Sequence, residues 1–185
     1  MQQSQPFQAP LSQLIMHLRT LDDLPSLPES PPGYSVRLLN PGEEDALTVI
    51  LSEAFPEVGW DLERTHRALI NAPDVEAIYV ATYQDAPVAT ASVRYLPDKF
   101  PDEGMVHWVG ALSEHRGKGL GRAVVLRVLH HFREDGYTAS ALETDDFRLA
   151  AIKTYLGLGF KPRYTHPDHE SRWQAIMKAI TPYHG

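Results

Sequence analysis

The sequence predicts one mixed α/β (α+β) domain with strands and helices in an irregular order. Three observations predict it. Hydrophobic spacing reads as strand, two helices, three strands, helix, strand, helix, strand. No helices fall between the middle strands, which argues against a regular doubly wound sheet. The chain has 185 residues, 43% of them hydrophobic, enough for one domain with a sizeable core and an appendage.

Residues 1 to 10 are polar, with glutamines and prolines, and are expected to be disordered. Leu11 to Leu21 reads two ways. Leu11, Leu14, Ile15 and Leu18 fit a helix face, and Leu14, Met16 and Leu18 equally fit a strand. Asp22 to Gly33 carries Pro25, Pro28, Pro31 and Pro32 and reads as an extended linker. Residues 1–33 are therefore expected to form an extension and linker, with the folded domain over 34–185. Leu11 to Leu21 is expected to cover an edge strand, dock on the sheet or mediate a homodimer.

Tyr34 to Leu39 alternates as a strand, and Gly42 to Phe55 has helical spacing through Ala46, Val49, Ile50 and Ala54. Leu62 to Ile70 is a second helix with Asp61 as N-cap, ended by Asn71 and Pro73. Ala77 to Tyr83 and Val88 to Tyr95 are strands joined by a hairpin at Gln84 to Pro87. After a loop from Pro97 to Gly104, Met105 to Leu112 is the next strand. A glycine-rich turn opens a long helix, Gly119 to Asp135, closed by Gly136. Ser140 to Glu143 is a strand, Phe147 to Gly157 a helix and Phe160 to Tyr164 a strand. Ser171 to Ile180 reads as a terminal helix packing through Trp173, Ile176 and Ile180.

Composition narrows the function. A net charge of −7 argues against general nucleic-acid binding and leans slightly toward cationic or amine substrates. With no cysteine, disulfides, thiolate metal sites and a cysteine nucleophile are excluded. No apolar run reaches the ~18–20 residues of a membrane span, and no secretory signal pattern is present, so a cytoplasmic protein is expected.

The turn Arg116-Gly117-Lys118-Gly119-Leu120-Gly121-Arg122 carries the chemistry. The first turn of a helix has unpaired N–H groups and a positive dipole end. Glycines let a ligand approach the backbone closely, and three cations repel each other there unless an anion is present. This is a phosphate or pyrophosphate site. A nucleoside-triphosphate loop needs Ser or Thr after Gly-Lys, but Gly119 follows Lys118, and Leu112 stands where its first glycine belongs. A dinucleotide fingerprint fails at its third glycine, which is Arg122 here.

A third pattern fits: Arg, two residues, Gly119, one residue, Gly121. Here the sequence resembles the acetyl-CoA loop of the GNAT acetyltransferase superfamily. His107 to Leu112 is similar to that family's signature strand, and Tyr155 to Phe160, with Gly159-Phe160, to its second signature. The element order and signature strand also resemble the two-domain mycothiol synthases of this superfamily, of which this chain is long enough for one domain. The resemblance implies a mixed, mostly antiparallel twisted sheet flanked by helices. It also implies transfer of an acetyl or short acyl group from acetyl-CoA to a small-molecule or peptide amine.

The resemblance carries roles onto particular residues. Amides of Gly117, Lys118, Gly119, Leu120, Gly121 and Arg122 would hold the pyrophosphate, with Arg116 at the mouth of the loop. Val109 and Ala111 match the positions that pair with the pantetheine arm. One of their amides would also polarise the thioester carbonyl. Small Gly110 suits a bulge or close ligand approach. Tyr155 matches the family's frequent general acid, the alternative being a core tyrosine. Glu143, at a strand end, and His107, on the signature strand, are the candidate bases. A salt-bridged carboxylate and a packed imidazole are their structural alternatives. His115 is expected to touch cofactor or solvent.

Arg148 stands where the family often has an asparagine, seven residues before the tyrosine. It is expected to reach a phosphate or to pair with Asp145 or Asp146, unless that acidic pair caps the helix. Trp60, Phe100 and Trp108 are candidates to line the acceptor site or to be core. His130-His131 point to different helix faces, and His166 and His169 flank a loop, so no metal site is expected. The rival functions are a non-catalytic acyl-CoA-binding regulatory module and a nucleotide-binding protein.

Overall fold

The computed structural model describes residues 12–181. The expected disorder of residues 1–10 lies outside them. Seven strands form one sheet: β1 Leu14–Leu18, β2 Tyr34–Leu38, β3 Val75–Tyr83, β4 Ala86–Arg94, β5 Glu103–Ala111, β6 Ala139–Thr144 and β7 Lys161–Arg163. Its order is β2-β3-β4-β5-β6-β1-β7. Only β5 and β6 run parallel, so the sheet is mixed and mostly antiparallel. The helices are α1 Glu44–Ala54, α2 Leu62–Thr65, α3 Leu120–Glu134, α4 Leu149–Gly157 and α5 His169–Ile180. A π turn, His66–Ile70, extends α2 to the end expected for it. No helix among the described residues is long and apolar enough to cross a membrane.

The ambiguous N-terminal stretch is a strand. β1 lies between β6 and β7 and pairs with both, Leu14 opposite Thr144 and Ile15 opposite Arg163. Leu14, Met16 and Leu18 join the main core, while Ile15 packs with Phe100, Met105 and Ala141 on the other face. Period 2 wins because both faces of this strand are covered. The boundary expected at residue 33 thus falls within the chain path of a single sheet, and the proline-rich stretch links two of its strands.

α3 packs on β3, β4 and β5, burying Val124, Val128, Leu129 and Phe132. Gly104 permits this approach, since a Cβ there would lie 2.2 Å from the Phe132 ring. α1 packs on β4 and β5. It shares a second apolar cluster with Trp60, Leu69 and Ile78. Gln84 and Asp85 (φ 49° and 69°) form a two-residue hairpin with the positive angles that match strand twist.

Two features of β5 shape the site. Its pairing with β6 runs only from Glu103 to Val106, whereas its pairing with β4 continues to Ala111. β6 meanwhile continues to Thr144 along β1. The C-terminal halves of β5 and β6 therefore diverge, and a gap opens between them. At the divergence β5 carries a bulge: Trp108 and Val109 oppose Ala91 alone, with Trp108 at φ +46°. A bulge bends and twists its strand, which turns β5 away from β6.

Candidate active site

The open edge of β5 follows from the hydrogen-bond alternation. Leu112 N–H donates to Val88 O at 2.9 Å, on the β4 side. Gly110 N–H therefore faces β4 as well, and the Ala111 amide faces the gap. Val109, at the bulge, and Ala111 line a groove of about 390 Å³ that runs along the gap to the glycine turn. These are the two positions expected to pair with an extended ligand.

In the turn, Gly117 and Gly119 have φ of 76° and 77°, a conformation that favours glycine. Gly119 precedes α3 with no side-chain cap, so the first amides of the helix stay available. Gly121 is different. Its φ is not positive, and a Cβ there would meet nothing within 4 Å. Neither backbone nor neighbours require the glycine, and what a side chain would fill is the groove. Arg116 Nε donates to Ala111 O at 3.4 Å, Lys118 Nζ to Glu114 O at 3.0 Å and Arg122 Nη1 to Gly157 O at 3.0 Å. Each cation is thus held by a carbonyl, and among the described residues no carboxylate lies within ion-pair distance of it. Arg116 and Arg122 line the groove, while Lys118 stands outside its lining. His115 also lines it and bonds the Tyr34 hydroxyl at 2.8 Å.

Gly110 lines the groove, but packing accounts for its being glycine. A Cβ at 110 would stand 2.7 Å from Ala54 Cβ. The bulge it was expected to permit lies at Trp108 and Val109 instead.

Beside the groove is a chamber of about 290 Å³. Tyr155, Val109 and Ala151 line both. Tyr155 is 5% exposed, and burial raises its hydroxyl above the ordinary tyrosine range, opposed by the charge of Arg148. It therefore keeps its proton at neutral pH. The chamber brings His107, Glu143 and Trp108 together, as expected. Trp60 and Phe100 are buried core residues instead, Trp60 meeting Trp108 edge-to-face at 4.7 Å.

The two candidate bases differ. Burial, then the charge of Arg94, holds the His107 imidazole down at about 3. Arg94 Nη1 lies 3.2 Å from Nε2. A proton arriving there would create a buried charge against a guanidinium, which disfavours His107 as a base. Glu143 instead faces the chamber as the partner of Lys99, whose Nζ lies 2.5 Å from it.

Arg148 forms part of the chamber wall. It pairs with Asp145 at 3.1 Å and with Glu57, donates to Ala54 O at 3.2 Å and lies 4.3 Å over the Phe55 ring. It reaches no glycine-turn position and ties the start of α4 to the end of α1. Asp146 pairs with Arg172 at 2.5 Å, and neither aspartate caps α4. The sequence reading did not include Phe55, Glu57, Val58, Gln13 and Thr144 in the site. Phe55-Pro56, where α1 must end, was the available signal for the first three. His130 bonds Pro25 O while His131 bonds the Tyr79 hydroxyl, on different sides as their spacing predicts.

A helix N-terminus with free amides, two lining cations and an open strand edge suit an extended, phosphorylated ligand. The model of the acetyltransferase (GNAT) family matches residues 44–160. The chain belongs to this family, whose acetyltransferases use acetyl-CoA as co-substrate. It is 32% identical over 151 residues to mycothiol acetyltransferase of Nocardia farcinica, covering 76% of this chain and 50% of that one. It is 38% identical over 74 residues to N-acetyltransferase 8B of Rattus norvegicus, covering 38% and 33%. A GCN5-related N-acetyltransferase structure from Sphaerobacter thermophilus shares the fold at a TM-score of 0.65 and 24% identity, over 82% of this chain and 48% of that one. The chain spans about half the length of the mycothiol acetyltransferases it matches.

Proposed function

We propose that this chain transfers an acetyl group from acetyl-CoA to an amine by direct attack. One observation carries the reading: protonated Tyr155 lines both the groove suited to the coenzyme and the chamber beside it. The amides at the start of α3, with Arg116 and Arg122, would hold the pyrophosphate. Val109 and Ala111 would pair with the pantetheine arm. The coenzyme supplies a thioester, whose acyl carbon accepts the amine.

Direct attack forms the N–C bond as the C–S bond breaks, and two protons must move. Tyr155 gives its hydroxyl proton to the departing sulfur. Glu143 accepts the proton that the amine nitrogen loses, and the amide at Val109 or Ala111 donates to the carbonyl oxygen as charge builds there. His107 stays neutral as part of the wall. A small-molecule or peptide amine and a cytoplasmic setting belong to the same proposal.

Tyr155→Phe tests it. Turnover over a panel of amines, followed by thiol release, is expected to fall about 10²–10⁴-fold. Coenzyme affinity by calorimetry is expected to stay within about threefold, because the ring keeps its place. Undiminished turnover would remove Tyr155 from the mechanism. Coenzyme binding without transfer to any amine by the wild type would favour a non-catalytic acyl-CoA module.

A further inference from the structure

We infer that the chamber takes an acceptor amine that carries no carboxylate near its reacting nitrogen. The inference rests on the acyl-transfer reading of the same site. The chamber's charged lining consists of three carboxylates, Glu57, Glu143 and Asp145, against one guanidinium, Arg148. Arg148 is already engaged by Glu57, Asp145 and the Ala54 carbonyl. The cations behind these walls are engaged too: Lys99 pairs with Glu143, and Arg94 with Asp74 at 2.6 Å. Among the described residues every charge at the chamber is paired, but three carboxylates stand against two cations, Arg148 and Lys99, so an added carboxylate meets a net negative wall and an added ammonium the complementary one. In a partly buried space such charge contacts weigh more than in water.

A second observation marks the chamber as built for a polar ligand. Thr144, 3% exposed, lines the chamber, and its buried Oγ1 has no hydrogen-bond partner among the described residues. Native buried hydroxyls are nearly always partnered, and a turn of this side chain toward the chamber would let it accept from an amine N–H. The Trp108 ring on the same wall also suits a cation.

Matched pairs isolate the carboxylate: tyramine against tyrosine, and phenethylamine against phenylalanine, with tyrosinamide as the control that keeps a substituent at the α-carbon without the charge. Each is measured twice, as kcat/KM for acetyl transfer and as Kd on protein saturated with coenzyme A. The carboxylate-free member is expected to lead by at least about tenfold in both, with tyrosinamide behaving like tyramine. Glu57→Gln removes one competitor for Arg148 and is expected to narrow the ratio by about threefold. Equal or better use of tyrosine and phenylalanine, no binding of either member, or an unchanged ratio in Glu57→Gln overturns the inference. No transfer to any amine, with the binding preference intact, sinks the acyl-transfer reading and upholds this one.

Discussion

Arg148 joins the two halves of the site, and its removal can be worked from the structure. Its side chain is 17% exposed, while its partners Glu57 and Asp145 are 50% and 36% exposed. In Arg148→Ala those carboxylates rehydrate, so each ion pair is worth only about 0.5 kcal/mol. The contact over Phe55 contributes about 1 kcal/mol. The charged hydrogen bond to the Ala54 carbonyl contributes about 1.5 kcal/mol, because Arg148 caps a carbonyl left unpaired at the end of α1. The expected loss is about 3.5 kcal/mol. For a chain of this size that lowers Tm by roughly 7–14 °C. Arg148→Lys keeps the charge but loses the planar fork, and should recover only about 1 kcal/mol. Thermal unfolding by circular dichroism, checked by urea titration, measures both variants. A loss under about 0.5 kcal/mol for Arg148→Ala, or full recovery by lysine, would refute the bridging role.

Two further predictions concern neighbouring residues. The His107 pKa in the folded protein, about 3, lies below its ordinary 6.5, so the unfolded chain binds the extra proton first. Stability from this group is therefore complete above pH 6.5 and lost as pH falls toward 3. His17, also lowered by burial and then Arg163, acts in the same direction. His107→Asn is expected to flatten the fall in Tm between pH 7 and 5, and an unchanged fall would show that His107 is not held neutral. Gly110→Ala places a methyl 2.7 Å from Ala54 Cβ and should cost about 1–3 kcal/mol by displacing α1 from β5. Denaturant unfolding would expose the error if that variant proved as stable as wild type.

The sequence made the donor side of this site legible because its parts are local. Arg116 to Arg122 is seven consecutive residues whose spacing alone separates three kinds of phosphate loop. Gly119 and Gly136 bracket α3 as their positive φ values require. β1 was illegible for the opposite reason. Five residues are too few to separate period 2 from 3.6, and its partners at Thr144 and Arg163 lie far along the chain. Arg148 met the same limit: Asp145 is three residues away, but Glu57 and Ala54 are more than ninety. Gly110 was legible as a residue that must be small. Which neighbour demands it was not, since Ala54 reaches it only after α1 has docked.

The same contrast separates donor from acceptor in the fold. β5 and β6 are joined through α3, a crossover that makes them parallel and brings their C-terminal ends to one side. The glycine turn leaves β5 there, and the chain into α4 leaves β6 there. Element order alone therefore places the turn and Tyr155 around one gap, where open sheets bind ligands. The acceptor chamber has no such origin. Phe55, Glu57 and Val58 come from the turn after α1, and Gln13 from the residue before β1. Those segments sit beside the gap only because α1 packs on β5 and β1 inserts next to β6. Acceptor choice thus rests on contacts that can change while the donor turn stays intact. Substitutions at Glu57 should move amine preference without moving coenzyme affinity, which is what the paired Kd and kcat/KM measurements resolve.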